Sequence, residues 1–228
     1  MARKLDSYKG RLSPEQIAEG INVARRNARR LYEDAEALLH LDRLPSAVSL
    51  AILSIEESGK GPILRELALA TTEEEVSKVW RDYRSHTKKN IMWLVPQLVA
   101  NGARRLEEFR PLFESEAEHP HVLDQLKQVS IYTDCLGKAH WAEPSKVIDR
   151  DLAVTLARIA SILLSNNEVT AEEIRLWIKH MHGIKHKTFA EQKEALFRWY
   201  AEMQELELAG SGVNLVEVLD WLGIRLDP

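Results

Sequence analysis

The sequence has little of what would cross-link, break or anchor a chain. It has one cysteine, Cys135, among 228 residues, so it can form no intrachain disulfide and no cysteine-rich zinc site. Its 10 glycines and 8 prolines are too few for a collagen-like or low-complexity chain. No apolar run approaches the roughly 20 residues that span a bilayer, and no signal-peptide core begins the sequence. We therefore expect a globular, cytoplasmic protein without membrane contact.

The charge is close to balanced. The chain has 31 basic and 35 acidic residues and a formal net charge of -4. This excludes a histone-like polyanion binder, so any contact with nucleic acid must come from a local basic patch.

Helix signals recur along the chain. Ser13-Pro14-Glu15-Gln16 combines a cap, a first-turn proline and a capping-box glutamine. The apolar residues that follow alternate spacings of four and three, which is typical of one helical stripe: Ile17, Ile21, Ala24, Ala28, Leu31, Ala35 and Leu38. No strand-like alternation is evident, so we predict an all-α fold. The predicted helices are 13–41, 45–58, 62–70, 72–86, 88–101, 103–117, 121–136, 145–165, 171–182, 188–209 and 214–222, with a kink at Pro96.

The second helix is apolar on nearly all sides over residues 45–55, which predicts a central buried helix that forms an antiparallel pair with the first. Glu56 follows Ile52 by four residues and should point inward, whereas Glu57 should reach solvent. A buried carboxylate needs a partner. We expect that partner to be Lys60 or the segment from Arg81 to His86.

Polar residues on the first helix allow two interpretations. Asn27 and Asp34 lie seven apart, beside the apolar stripe. They either form hydrogen bonds across the bundle or support a site on a neighbouring helix. The arginines at 25, 26, 29 and 30 are either a solvated surface or a phosphate-contacting patch.

The segment from Trp80 to Lys89 concentrates basic and titratable side chains. His86 can move the proton of an RNA 2'-hydroxyl, and Arg81 can stabilise charge on the phosphorane. Asp82 precedes His86 by four and can orient its imidazole. On a regular helix, however, Arg81 and His86 diverge by about 140°. Either the helix breaks near Ser85, or another helix or a second subunit completes the site.

Two further patterns have structural interpretations. His180, His182 and His186 lie close together, but Gly183 interrupts the helix and no acid or cysteine lies within the run. We predict no metal site and no cofactor. Trp177, Trp199 and Trp221 are expected to be core or interface anchors.

Three stretches together resemble a known family. They are Asn27 to Ala35, Ala47 to Lys60, and Arg84 to Lys88; Ile131 to Asp134 and Trp141 to Pro144 follow. In this order and at these separations they resemble the AbiV abortive-infection family of bacterial phage-defence proteins. That family is similar to the HEPN superfamily of helical bundles, which commonly dimerise and often act as metal-independent endoribonucleases.

The resemblance implies roles for particular residues. Arg81 and His86 fit the HEPN motif and would be catalytic. Asp82, Glu56, Asn27 and Asp34 would support them, and Arg84, Lys88 and Lys89 would contact phosphate or RNA. Because one imidazole cannot easily serve both proton transfers, we expect a homodimer that brings two copies of His86 together, with Trp80 or Tyr83 in the interface.

The resemblance covers about residues 10–145, and with the other observations it suggests an organisation and a set of partners. We predict an AbiV/HEPN-like helical domain over 10–145 and a C-terminal helical region of unknown role over 146–228. The expected partners are a second copy of the chain, RNA, and a phage-encoded activator or a host protein. The alternative function is a non-catalytic defence protein that blocks a host process, such as translation, by binding protein or RNA.

Overall fold

The computed structural model describes residues 6–90, 93, 119–184 and 187–209. Helices dominate these residues, and the all-α prediction is confirmed. They are α1 (Pro14–His40), α2 (Leu44–Ser58), α3 (Lys60–Leu69), α4 (Glu73–Arg84), α5 (His86–Lys89), α6 (His119–Ile131), α7 (Pro144–Val147), α8 (Arg150–Leu163), α9 (Ala171–Met181) and α10 (Phe189–Glu205). A short antiparallel hairpin joins β1 (Asp134–Leu136) to β2 (His140–Ala142).

Helix α1 begins where the sequence predicts. The Ser13 hydroxyl accepts the backbone N–H of Gln16, and the Gln16 side chain accepts the backbone N–H of Ser13. This reciprocal capping box satisfies two donors that a helix start would otherwise leave unpaired. Every position of the predicted stripe through Ala35 is buried.

Helix α2 is the central element, as predicted. Ala51 and Ile52 are fully buried. Its apolar residues join one core cluster with Ala35 of α1, Leu123 of α6 and Leu156 of α8. A second cluster lies between the N-terminal half of α1, helices α3 and α4, and the start of α9. Because α2 is enclosed by other helices, a charge at its end is brought into the interior.

Several predicted boundaries were wrong. The helix expected over 72–86 ends at Arg84, because Ser85 adopts an extended backbone conformation and caps α5. The segment 145–165 forms two helices, separated at Ile148 and Asp149. The helix expected over 121–136 ends at Ile131, and the hairpin that follows was not predicted.

The hairpin turn uses two left-handed residues, Gly137 and Ala139, at φ of 53° and 59°. Each strand is three residues long, which is too short to show a periodic pattern in the sequence. The predicted helices 103–117 and 214–222, the kink at Pro96, Trp221, and most of the helix predicted at 88–101 lie outside the described residues.

The C-terminal helices pack against the rest through aromatic and polar contacts. Trp177 and Trp199 meet edge to face with ring centroids 5.1 Å apart, and the Trp177 indole donates to the carbonyl of Arg65. Both tryptophans are therefore anchors, as expected. Within the part of the chain that the structure describes, no helix is both long and apolar enough to cross a membrane.

Candidate functional site

The site is built around a buried carboxylate. Glu56 lies near the end of α2, and its side chain is 3% exposed. The expectation that it points inward and meets the segment ending at His86 is confirmed. Lys60 is not its partner, because Lys60 pairs with Glu57 at 2.6 Å. Glu57 is 17% exposed, so it reaches solvent only in part, beside its partner Lys60.

Two lysines compensate the charge of Glu56. Lys127 Nζ lies 2.6 Å from Glu56 Oε1, and Lys89 Nζ lies 3.5 Å from Oε2. Lys127 also pairs with Asp124 at 2.8 Å. Burial lowers the pKa of Lys127, but the hydrogen bonds and charges of Asp124 and Glu56 outweigh it and leave that pKa raised. A buried carboxylate with this many cationic partners is stable in the interior.

Sequence reasoning missed Lys127 and Asp124. The signal was present, since Lys127 follows the fully buried Leu123 by four residues, as Glu56 follows Ile52. When a charged residue lies on the apolar face of each of two packed helices, the two residues are expected to pair with each other. Comparing the helices in pairs would have found this contact.

The imidazole of His86 bridges this buried charge and the surface. His86 Nδ1 donates to Glu56 Oε2 over 2.8 Å, and the side chain is 56% exposed. A carboxylate only accepts hydrogen bonds, so the contact places the proton on Nδ1. In the neutral imidazole Nε2 then carries the lone pair, and no hydrogen bond within the described residues occupies it. An imidazole oriented by a carboxylate in this way can act in general acid–base chemistry.

A backbone contact fixes the distance between α2 and α5. Gly59, at the C-cap of α2, lies against the last residue of α5. A Cβ at position 59 would lie 2.0 Å from the carbonyl oxygen of Lys89. Only glycine allows this approach, which brings His86 within reach of Glu56.

Glu56, His86 and Asp124 also have the chemistry of a metal site, because one ligand atom from each lies within 4.8 Å of the others. However, the Lys127 ammonium lies between the two carboxylates, 2.6 and 2.8 Å away. The cation that these acids hold is therefore a lysine. The residues do not fit a metal ion unless Lys127 moves.

Arg81 and Asp82 are placed apart from this cluster. The Arg81 guanidinium donates to the Ser77 hydroxyl at 3.3 Å, and no hydrogen bond within the described residues joins it to His86. The helix does break at Ser85, one of the two ways in which the motif was expected to be accommodated. Because of that break Asp82 loses its helical relation to His86, and Glu56 binds the imidazole in its place.

The three expected phosphate contacts differ in exposure. Lys88 is exposed. Arg84 donates to the carbonyls of Trp80 and Tyr8 and stacks over the Trp80 ring, so it holds the N-terminal segment in place. Lys89 is 8% exposed and faces Glu56. The expectation that Lys89 contacts phosphate was therefore wrong. Its ammonium group offsets the charge of the buried Glu56 carboxylate.

The polar pair on α1 does not reach the site. Arg30 bonds Asn27 Oδ1 at 3.0 Å and Asp34 Oδ2 at 3.0 Å, all within one helix. Neither expected role, a bond across the bundle or support for a neighbouring site, matches this arrangement. Trp80 is also buried in the subunit, with its indole bonded to Gly10, which leaves Tyr83 as the half-buried aromatic of the segment.

Comparison with known proteins identifies the family. A family model described as AbiV, of the HEPN type, matches residues 16–165. The chain belongs to the AbiV family. This membership makes it a protein of abortive infection, a form of phage defence. No curated protein and no solved structure gives a significant match.

The AbiV match extends beyond the expected end of the family domain at 145. It continues through α8 to residue 165. Helix α8 shares a core cluster with α2, so the boundary predicted near Pro144 falls between helices that pack together. Residues 16–165 contain every residue of the Glu56 cluster.

Proposed function

We propose that this AbiV protein acts on RNA as a metal-independent endoribonuclease and that His86 transfers the proton. One observation carries the proposal. The His86 imidazole is more than half exposed, while its Nδ1 is bonded to a buried carboxylate. No hydrogen bond within the described residues occupies Nε2, which supports a role for this nitrogen in accepting a proton.

The proposed reaction uses that geometry. His86 Nε2 takes the proton of a 2'-hydroxyl, and the 2'-oxygen attacks the adjacent phosphorus. The bond to the 5'-oxygen breaks, and that oxygen takes a proton from a second acid. The products are a 2',3'-cyclic phosphate and a 5'-hydroxyl. Arg81 is the candidate to stabilise charge on the phosphorane, for which its guanidinium must leave Ser77.

The second acid is the reason to propose a homodimer. One imidazole that has just accepted a proton on one side of the phosphate cannot readily donate on the other. In a two-fold dimer, His86 of the partner subunit can serve as that acid. Sedimentation should show a dimer at micromolar concentration. A monomer that retains full cleavage would rule out the composite site.

The test of cleavage uses total RNA and purified tRNA in EDTA. Wild type should cleave, and His86→Ala should lose about 10²–10⁴-fold in rate. His140→Ala is the matched control, because His140 is an exposed histidine in β2, outside the Glu56 cluster. Equal cleavage by the His86→Ala and wild-type proteins would contradict the proposal.

A second candidate function is a binding protein that blocks a host process. It is favoured by an apolar surface at the hairpin, where Trp141 is 77% exposed and Tyr132 60% exposed. Tyr132 lines a cavity of about 720 Å³ together with Leu136 and residues of α6. Trp141 does not line it but pairs with Cys135 of the hairpin. If this candidate is right, growth arrest in cells survives His86→Ala and is lost with Trp141→Ala.

A further inference from the structure

A small basic cavity lies between α1 and the loop that follows α8. Asn22, Arg25, Arg26 and Arg29 line one side, and residues 165–168 line the other. Its volume is about 130 Å³. None of these residues belongs to the Glu56 cluster, so the two sites are built from different side chains.

The loop accepts hydrogen bonds from two arginines of α1, but these bonds involve few of their N–H donors. Arg25 Nη1 donates to the carbonyl of Asn167, and Arg29 Nη2 donates to Asn166 Oδ1. A guanidinium carries five N–H donors in a planar fork. Within the described residues these two bonds leave most of the donors of Arg25 and Arg29 for another acceptor.

The charge around the cavity is positive. Arg26 and Glu168 form the ion pair of the cavity at 3.6 Å, and both side chains are largely exposed, so the pair is weak. Arg65 of α3 adds a further guanidinium near Arg25. Burial, and then repulsion from Arg25, lower the pKa of Arg65 to about 10, while the charge of Glu173 opposes this shift. The cavity lining therefore has three guanidinium groups and one carboxylate, and Arg65 and Glu173 add one charge of each sign nearby.

The loop supplies neutral donors. The backbone N–H groups of residues 165–168 make no hydrogen bond within the described part of the chain. The Ser165 hydroxyl also lines the cavity. Hydroxyl, amide and guanidinium donors together are the groups that proteins use to bind phosphate oxygens.

We propose that the cavity formed by Arg25, Arg26, Arg29 and the 165–168 loop binds a phosphate group, from the backbone of RNA or from a free phosphate compound. The bidentate fork of arginine suits two oxygens of one phosphate. This binding does not require that His86 cleave RNA.

The test measures binding without cleavage. A short fluorescein-labelled single-stranded RNA is titrated in the His86→Ala background at several salt concentrations. Adding Arg26→Gln or Arg29→Gln should weaken binding about tenfold, as expected for the loss of a charge-assisted hydrogen bond. Each should also reduce the salt slope by about 0.7, the value for one phosphate contact on a single strand.

Arg30→Gln is the matched control. Arg30 lies on the same helix and is exposed, but its bonds go to Asn27 and Asp34. It should retain both the affinity and the salt slope. If the Arg26, Arg29 and Arg30 variants bind RNA alike, the cavity does not contact the RNA backbone, whatever the outcome for cleavage.

A variant that gains affinity separates binding from misfolding. Glu168→Gln removes the carboxylate beside Arg26 and keeps every cation, so it should bind RNA more tightly than its parent. A loosened loop would have the opposite effect. Unchanged or weaker RNA binding by Glu168→Gln would contradict an RNA-backbone contact at this cavity.

Titration with inorganic pyrophosphate distinguishes the two sources. Pyrophosphate that binds the parent protein and not Arg29→Gln identifies a site for a free phosphate compound. Arginine-dependent binding of RNA without binding of pyrophosphate identifies a backbone contact. Failure of both arms overturns the proposal.

Discussion

Two clusters in this chain contain the same three kinds of side chain and present them in opposite ways. In one, Glu56 holds His86 at 2.8 Å and Lys127 at 2.6 Å. In the other, Glu202 holds His180 at 2.6 Å and Lys179 at 2.6 Å. Glu56 is 3% exposed and His86 56%, whereas Glu202 is 25% exposed and His180 14%.

The difference shows that composition alone does not make a site. The first cluster buries the acid and exposes the imidazole, as the proposed role of His86 requires. The second covers the imidazole and leaves its acid nearer the surface, as in an ion pair that links α9 to α10. The ring nitrogens also differ, because Glu56 binds Nδ1 of His86 and Glu202 binds Nε2 of His180.

The largest expected difference is in the loss of stability when each of the two acids is replaced. Glu56→Ala removes the buried partner of two lysines and should lower the free energy of unfolding by about 3–5 kcal/mol. Glu202→Ala breaks partly exposed pairs and should cost clearly less. Urea denaturation of both variants measures the difference. Equal losses would mean that burial does not distinguish the clusters.

Replacing Lys127 should likewise cost more stability than replacing Lys179. Lys127→Met leaves Glu56 with Lys89 and His86, and should cost about 3 kcal/mol, the low end for a broken buried pair. Lys179 is 59% exposed, so Lys179→Met should cost much less. If Lys127→Met has the same unfolding midpoint as wild type, Lys127 does not stabilise the buried carboxylate.

The first cluster should also depend on a close backbone approach. Gly59→Ala would place a methyl group against the carbonyl of Lys89 and should cost about 1–3 kcal/mol as overpacking. Gly61→Ala is the control, because a Cβ there meets Ile21 at an ordinary 3.8 Å. Thermal melting that gives the same shift for both variants would refute the role assigned to Gly59.

The smallest effect is the pH dependence of the second cluster. Hydrogen bonds from Lys179 and then His180 hold the pKa of Glu202 below its ordinary value. A lowered carboxyl pKa stabilises the fold above the unfolded pKa, and this stability is lost as the pH falls through the folded pKa. The melting difference between wild type and Glu202→Gln should therefore shrink in acid. A difference in melting temperature that stays constant from neutral to acid pH would contradict this role of Glu202.

Local signals in the sequence predicted the helices and one half of the site. Capping boxes and the apolar stripe placed α1 and α2, and the position of Glu56 after Ile52 predicted its burial. Lys127 was missed because its role depends on packing between α2 and α6, which are distant in sequence. The break at Ser85 depends on a cap that competes with continued helix, and three-residue strands carry too little pattern to predict.

The tautomers of His86 and His180 test the account most directly. Long-range ¹H–¹⁵N NMR at about pH 8, above the ordinary histidine pKa, reports which ring nitrogen carries the proton. The account predicts Nδ1–H for His86, with a free Nε2, and Nε2–H for His180 in the same spectrum. Glu56→Gln should change the His86 signals alone. An Nε2–H tautomer for His86 would contradict the account, because the nitrogen facing solvent would then have no lone pair with which to accept a proton from RNA.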